Sequence, residues 1–95
     1  MVKIIDVSNN ELENLGDLPK FPALTYLKIS DNPKLKNLNG IENCKQLEVL
    51  EMEDVPVNKF EVLAKLPKLK TVIVNNSIQA DAIKRVRPDI TVTGR

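Results

Sequence analysis

Four stretches of the chain are versions of one another: VKIIDVSNN from Val2, LTYLKISDN from Leu24, LEVLEMEDV from Leu47 and LKTVIVNNS from Leu69. Their first apolar residues lie 22, 23 and 22 residues apart. A period this regular limits the fold more than any single motif, because it marks supersecondary units that stack on one another. Inside each stretch an apolar pair alternates with the period of a strand: Ile5 and Val7, Leu27 and Ile29, Leu50 and Met52, Val72 and Val74. One face of every strand must therefore turn inward. The extra residue of the second unit falls in NPKL, where the first unit has NEL.

Each strand is followed by further apolar residues at convergent positions, which let a return segment pack on the inward face. They are Leu12, Leu15, Leu18 and Phe21; Leu35, Leu38, Ile41 and Cys44; Val57, Phe60, Leu63 and Leu66; Ile78, Ala82, Ile83 and Val86. Asn58 with Glu61 three residues on has capping-box spacing and predicts a short helix over 59–65. Ser77 as N-cap predicts a second helix, stopped before Pro88. The earlier returns, with Gly16, Pro19 and Gly40, read as turns or single 3₁₀ windings. Pro88 and Ile90 repeat the spacing of Pro67 and Leu69, so ITV (90–92) reads as a fifth, shortened strand. No linker interrupts the array, and residues 1–95 form a single domain.

The pattern L-x-x-L-x-L-x-x-N-x-L, carried almost intact by residues 2–12, resembles the leucine-rich repeat. The spacing, with FPAL (21–24) and LPKL (66–69) at unit joins, is most similar to the class found in internalins and in a regulator of protein phosphatases. Four copies in register make the resemblance specific and extend it over nearly the whole chain. It implies an α/β fold, a right-handed solenoid with a curved parallel sheet of four strands plus the short fifth, and short helices or 3₁₀ turns on the convex side. It also implies a protein-interaction role. Longer members of the family carry a cap ahead of the first repeat, whereas here a strand begins at Val2. That departure leaves an edge strand and part of the core open to self-association, with the opposite charges of the two ends assisting, unless Lys3, Asp6 and Glu11 keep the edge soluble.

The asparagine of the pattern has a physical reason. Leaving the strand, the chain turns into the body of the coil, where backbone N–H and C=O groups need partners. An amide side chain both donates and accepts, and serves its own turn and the adjacent one. Asn10 and Asn32 hold this position, Ser77 is the weaker substitute in the fourth unit, and Val55 breaks the series in the third.

The outward strand positions form three lateral rows: Ile4, Tyr26, Val49, Thr71; Asp6, Lys28, Glu51, Ile73; and Ser8, Ser30, Glu53, Asn75. The first row is largely apolar and contains the sole tyrosine, so Tyr26, Val49 and Ile4 are the leading anchors for a protein partner. β-branched residues also suit a strand wherever they point. Glu48, Glu51, Glu53 and Asp54 concentrate acid. They read either as a recognition patch for a basic segment of a partner, extended by Asp6, or as solvated strand charge. Alternate strand residues splay, and no metal site or other cofactor is expected from them.

Composition narrows the function classes. The chain has no histidine and a single cysteine, which removes His-based acid/base chemistry, Cys–His catalysis and the common zinc sites. Cys44, at a repeat apolar position, reads as a buried apolar side chain. A net charge of +1 speaks against nucleic acid or a membrane surface as the main partner. The charge is uneven, however. Residues 1–63 carry seven basic and eleven acidic groups and residues 64–95 seven and two, with Lys84, Arg85, Arg87 and Arg95 making the last turn basic. Asp6 interrupts any secretory apolar core, and no later run approaches spanning length. With no internal disulfide possible, the expectation is a soluble cytoplasmic protein. These features together predict a non-catalytic module that presents its outward face to another protein. The alternative is a self-assembling structural protein that associates through its N-terminal edge.

Overall fold

A computed structural model describes residues 1–16 and 18–94. Five strands, β1 (Ile4–Asp6), β2 (Tyr26–Lys28), β3 (Val49–Glu51), β4 (Thr71–Ile73) and β5 (Thr91–Thr93), form one all-parallel sheet in chain order. Parallel neighbours cannot be joined by a tight turn and need a crossover of about a dozen residues or more. The repeat length supplies one each time. The period also sets the register: Ile5, Leu27, Leu50, Val72 and Val92 lie side by side, as do Ile4, Tyr26, Val49, Thr71 and Thr91.

The backbone ladder repeats with the same period. The Lys3 carbonyl accepts from the Thr25 and Tyr26 amides, the Thr25 carbonyl from Glu48 and Val49, and the Glu48 carbonyl from Lys70 and Thr71. The fifth strand departs from the expectation in two respects. It is as long as the others, and Thr91 pairs with Thr71, so the strand covers 91–93 where the sequence suggests 90–92. Its unit is one residue shorter between the turn and the strand.

Behind the sheet the returns form a second layer. Three 3₁₀ segments, Leu18–Lys20, Ile41–Asn43 and Glu61–Lys65, and one α-helix, α1 (Ser77–Val86), contact one another in sequence. The core between the layers includes Leu24, Leu27, Ile29, Leu47, Leu50, Met52 and Leu63, each with no exposed surface. Truncating one such leucine to alanine costs about 2–5 kcal/mol. Each 3₁₀ segment closes alike: the amides of Phe21, Cys44 and Leu66 donate to the carbonyls of Leu18, Ile41 and Leu63. Gly40 stands where two returns touch. Its φ is 107°, and a Cβ there would lie 2.4 Å from the Leu15 carbonyl oxygen.

Both helix starts differ from the sequence reading. The third return is 3₁₀ and begins at Glu61, with Phe60 at the N-cap and no side-chain cap. Phe60 is buried, and burying that ring outweighs the fraction of a kcal/mol to about 2 kcal/mol of a cap at Asn58. The N-cap of α1 is Asn76, not Ser77: its side chain accepts from the amides of Ile78 and Gln79. Of the expected inward set, Ile83 is buried and Ala82 and Val86 are partly buried. Ala80 is buried as well, and Ile78 is 78% exposed.

Candidate interaction surface

Because each strand turns its central residue inward, fully buried in β2, β3 and β4 and half-buried in β1 and β5, the flanking side chains face away from the core. The structure aligns the first two rows and lengthens both: Thr91 extends Ile4, Tyr26, Val49 and Thr71, and Thr93 extends Asp6, Lys28, Glu51 and Ile73. Ile4 is 67% exposed, Asp6 is exposed, and Tyr26, Lys28, Val49, Glu51, Thr71 and Ile73 are half-buried. Thr91 and Thr93 escape the sequence reading because the last unit breaks the 22-residue spacing.

Three of these side chains, on two adjacent strands, make one connected group. The Lys28 ammonium lies 5.9 Å from the centre of the Tyr26 ring and 3.5 Å from a carboxylate oxygen of Glu51, within cation–π and ion-pair range respectively. Hydrogen bonding to the Glu51 carboxylate, then partial burial and the Glu51 charge, push the Tyr26 phenol above its ordinary pKa. Asp6 is held below the usual carboxylate range, chiefly by the Ser8 amide at 3.0 Å and then the Ser8 side chain, with the Lys28 charge a smaller cause. Tyr26 thus stands half-buried on the open face between a cation and a carboxylate.

The acidic cluster is not a free patch. Glu48 pairs with Lys70 at 3.5 Å and Glu51 with Lys28. Asp54 exchanges two hydrogen bonds with Asn75, amide to Oδ1 at 3.1 Å and Nδ2 to carboxylate at 2.8 Å. The Ser30 hydroxyl accepts from the Glu53 amide, and Glu53 is the member whose carboxylate has no partner among the described residues. No group of three acidic or thiol side chains among those residues is placed to hold a metal ion.

At the strand exits, Asn32 is wholly buried. Its Nδ2 donates to the carbonyls of Ile29, Ser30 and Val7 at 2.8, 3.2 and 3.2 Å, and its Oδ1 accepts from the Leu12 amide at 3.2 Å. Asn10 donates to Val7 and Ser8 from an exposed position. The third unit keeps the same turn despite Val55: Asn9, Asp31 and Asp54, equivalent residues, have φ of 60°, 57° and 55°. Ser77 does not serve the ladder. Its place is taken by Gln79, whose Nε2 donates to the carbonyls of Val55 and Val57 at 2.7 and 2.8 Å. The sequence offered one signal for this, a long amide side chain on the first turn of a helix that had to meet a coil lacking its asparagine.

Arg87 is the second residue whose role only the structure reveals. Its guanidinium donates to the carbonyls of Leu63 and Leu66, each at 2.8 Å, and Leu69 at 3.4 Å, and pairs with Asp89. It is 11% exposed and caps the preceding return, so it is withdrawn from the basic surface expected of the last turn. Lys84 and Arg85 remain exposed, and Arg95 lies outside the described residues. Cys44 is fully buried; burial, then the Glu42 charge, raises its thiol pKa, which suppresses the thiolate. No helix is long and apolar enough to cross a membrane among the described residues. No protein-family model, curated protein or solved structure matches the chain.

Proposed function

We propose that the chain is a leucine-rich-repeat solenoid and acts as a non-catalytic protein-interaction module, with another protein docking on the outward face of its sheet. The observation that carries this reading is the Tyr26, Lys28 and Glu51 group, held in mutual contact on the open face of a sheet whose other face is filled. Tyr26 and Val49 form the apolar centre, and Ile4, Thr71, Ile73 and Thr91 continue it along the rows. The charges of Lys28 and Glu51 largely neutralise each other. A partner that approaches as an apolar and hydroxyl-rich surface therefore fits better than a strongly basic segment, with Glu53 as the member of the acidic cluster left without a partner among the described residues. The absence of histidine from the chain and the inaccessibility of Cys44 agree with a binding role.

The test is affinity capture from the native cell, followed by reconstituted binding of each captured protein to wild type, Tyr26→Ala, Glu51→Lys and Ile78→Lys. The first two variants should weaken binding at least about tenfold, by roughly 1.4 kcal/mol, and the third should leave it unchanged. Unaltered affinity in both Tyr26→Ala and Glu51→Lys would place the docking surface elsewhere.

A further inference from the structure

Among the described residues, three of the four large apolar side chains that are conspicuously exposed, Met1, Val2 and Ile4, lie at the N-terminal end of the sheet. A cavity of 400 Å³ opens beside them, lined by Ile5, Val7, Leu12, Leu15, Leu18 and Phe21 together with Asn14 and Lys20. Beside it runs the outer edge of β1. In β1 the Val7 and Asn9 amides and the Lys3 carbonyl bond to the β2 side. By the alternation of a strand, the N–H and C=O groups of Ile4 and Asp6 point to the outer edge, where the sheet has no neighbour.

The opposite end is different in kind. Val92 is half-buried, Thr91 and Thr93 are exposed, α1 packs beside β5, and Arg87 caps the carbonyls beneath. Among the described residues the exposed large apolar side chain of this unit is Ile78, on the first turn of α1, while β5 itself presents threonines.

We infer that the N-terminal face binds a second copy of the same face, giving a closed two-fold dimer and not a head-to-tail stack. A head-to-tail stack would set the apolar cavity against the exposed threonines of β5 and leave the groups around it poorly matched. The two-fold arrangement covers apolar surface with apolar surface. Charge does not oppose it: the described charges around this end are Lys3 and Lys20 against Asp6, Glu11 and Glu13, and Glu11 is already paired with Lys34 at 3.8 Å.

The strand edge fixes the geometry. Antiparallel pairing of β1 with its copy about Ile5 places Ile4 opposite the second copy's Asp6, and each such pair exchanges both N–H···O bonds. Ile5 meets its own copy as a non-hydrogen-bonded pair, with Cα atoms about 4.5 Å apart. The two sheets become one sheet of ten strands, and both outward faces lie on the same side. This inference stands whether or not that face is the docking surface.

The experiment is sedimentation equilibrium across concentration, with circular dichroism to confirm folding. Wild type should reach a dimer and stop there. Ile4→Pro, which removes an edge N–H that bonds nothing within the chain, and Leu12→Lys, which charges the cavity, should each weaken the dimer at least about tenfold. Ile78→Lys should leave it intact. Ile5→Cys should form an intermolecular disulfide on mild oxidation, because the expected separation falls within the roughly 4.4–6.8 Å that a disulfide spans; this reads the pairing even if Leu12→Lys fails to fold. A strict monomer at about 1 mM, or an open-ended series of oligomers abolished by Val92→Pro, would overturn the inference.

Discussion

Replacing Asn32 with alanine tests the main structural argument at its most heavily committed side chain. The amide reaches four backbone groups. Two of them keep another partner when it is removed: the Val7 carbonyl still accepts from Asn10, and the Ser30 carbonyl from the Asn9 amide. The Ile29 carbonyl and the Leu12 amide are left without one. An unsatisfied buried backbone group costs about 1–3 kcal/mol, and Leu12 is only half-buried, so the expected loss is about 3 kcal/mol. A chain of this length is stabilised by about 5–14 kcal/mol in all. The loss should therefore lower Tm by roughly 12–24 °C and the urea midpoint by about 1–3 M.

Two companions isolate the cause. Asn32→Asp keeps the shape but replaces a donor with an acceptor facing three carbonyls, and should cost at least as much as alanine. Asn10→Ala removes an exposed amide and should cost less than about 1 kcal/mol. Urea unfolding followed by far-UV circular dichroism measures all three. If Asn32→Ala falls within about 0.5 kcal/mol of Asn10→Ala, the buried ladder does not stabilise the turns as argued.

In the fourth unit Gln79→Ala should cost about 2 kcal/mol, by freeing the partly buried carbonyls of Val55 and Val57, whereas Ser77→Ala should change stability by less than about 0.5 kcal/mol; thermal melts showing the reverse order would return the role to Ser77. Val55→Asn removes a buried apolar side chain, worth about 1.5–3 kcal/mol, against amide hydrogen bonds of about 1 kcal/mol each in a turn that Asp54 keeps like those of Asn9 and Asp31; Tm should therefore fall only slightly, and a loss of the full burial term in thermal melts would mean that the amide finds no acceptors there. Asp89 is held below the usual carboxylate range first by its hydrogen bond to Arg87. Its ionised form therefore stabilises the fold above that range, and the contribution is lost as pH falls through the folded value. The urea midpoint of wild type should exceed that of Asp89→Asn at neutral pH and converge with it once acid has protonated Asp89 in the folded state; a difference that persists in stronger acid would refute the ion pair as its source.

What could be read from the chain alone was whatever repeats. Alternation at 5 and 7, 27 and 29, 50 and 52, 72 and 74 identifies strands and their buried faces. The near-constant period makes equivalent residues neighbours, and from those two facts the outward rows through Tyr26 and Glu51 follow. Both are local or translational properties, which a single sequence carries in full. What breaks the period was decided by tertiary packing. Phe60 took a buried site and overrode a good capping box, Asn76 capped α1 in place of Ser77, and packing left Ile78 outside and took Ala80 in. Gln79 and Arg87 hold carbonyls of the preceding coil from 18 to 24 residues away. Their partners are backbone groups, which every residue has and no sequence pattern marks. The pairing of Tyr26 and Glu51 through Lys28 belongs to the same class, because strand register places side chains side by side but their rotamers and charges determine which of them touch.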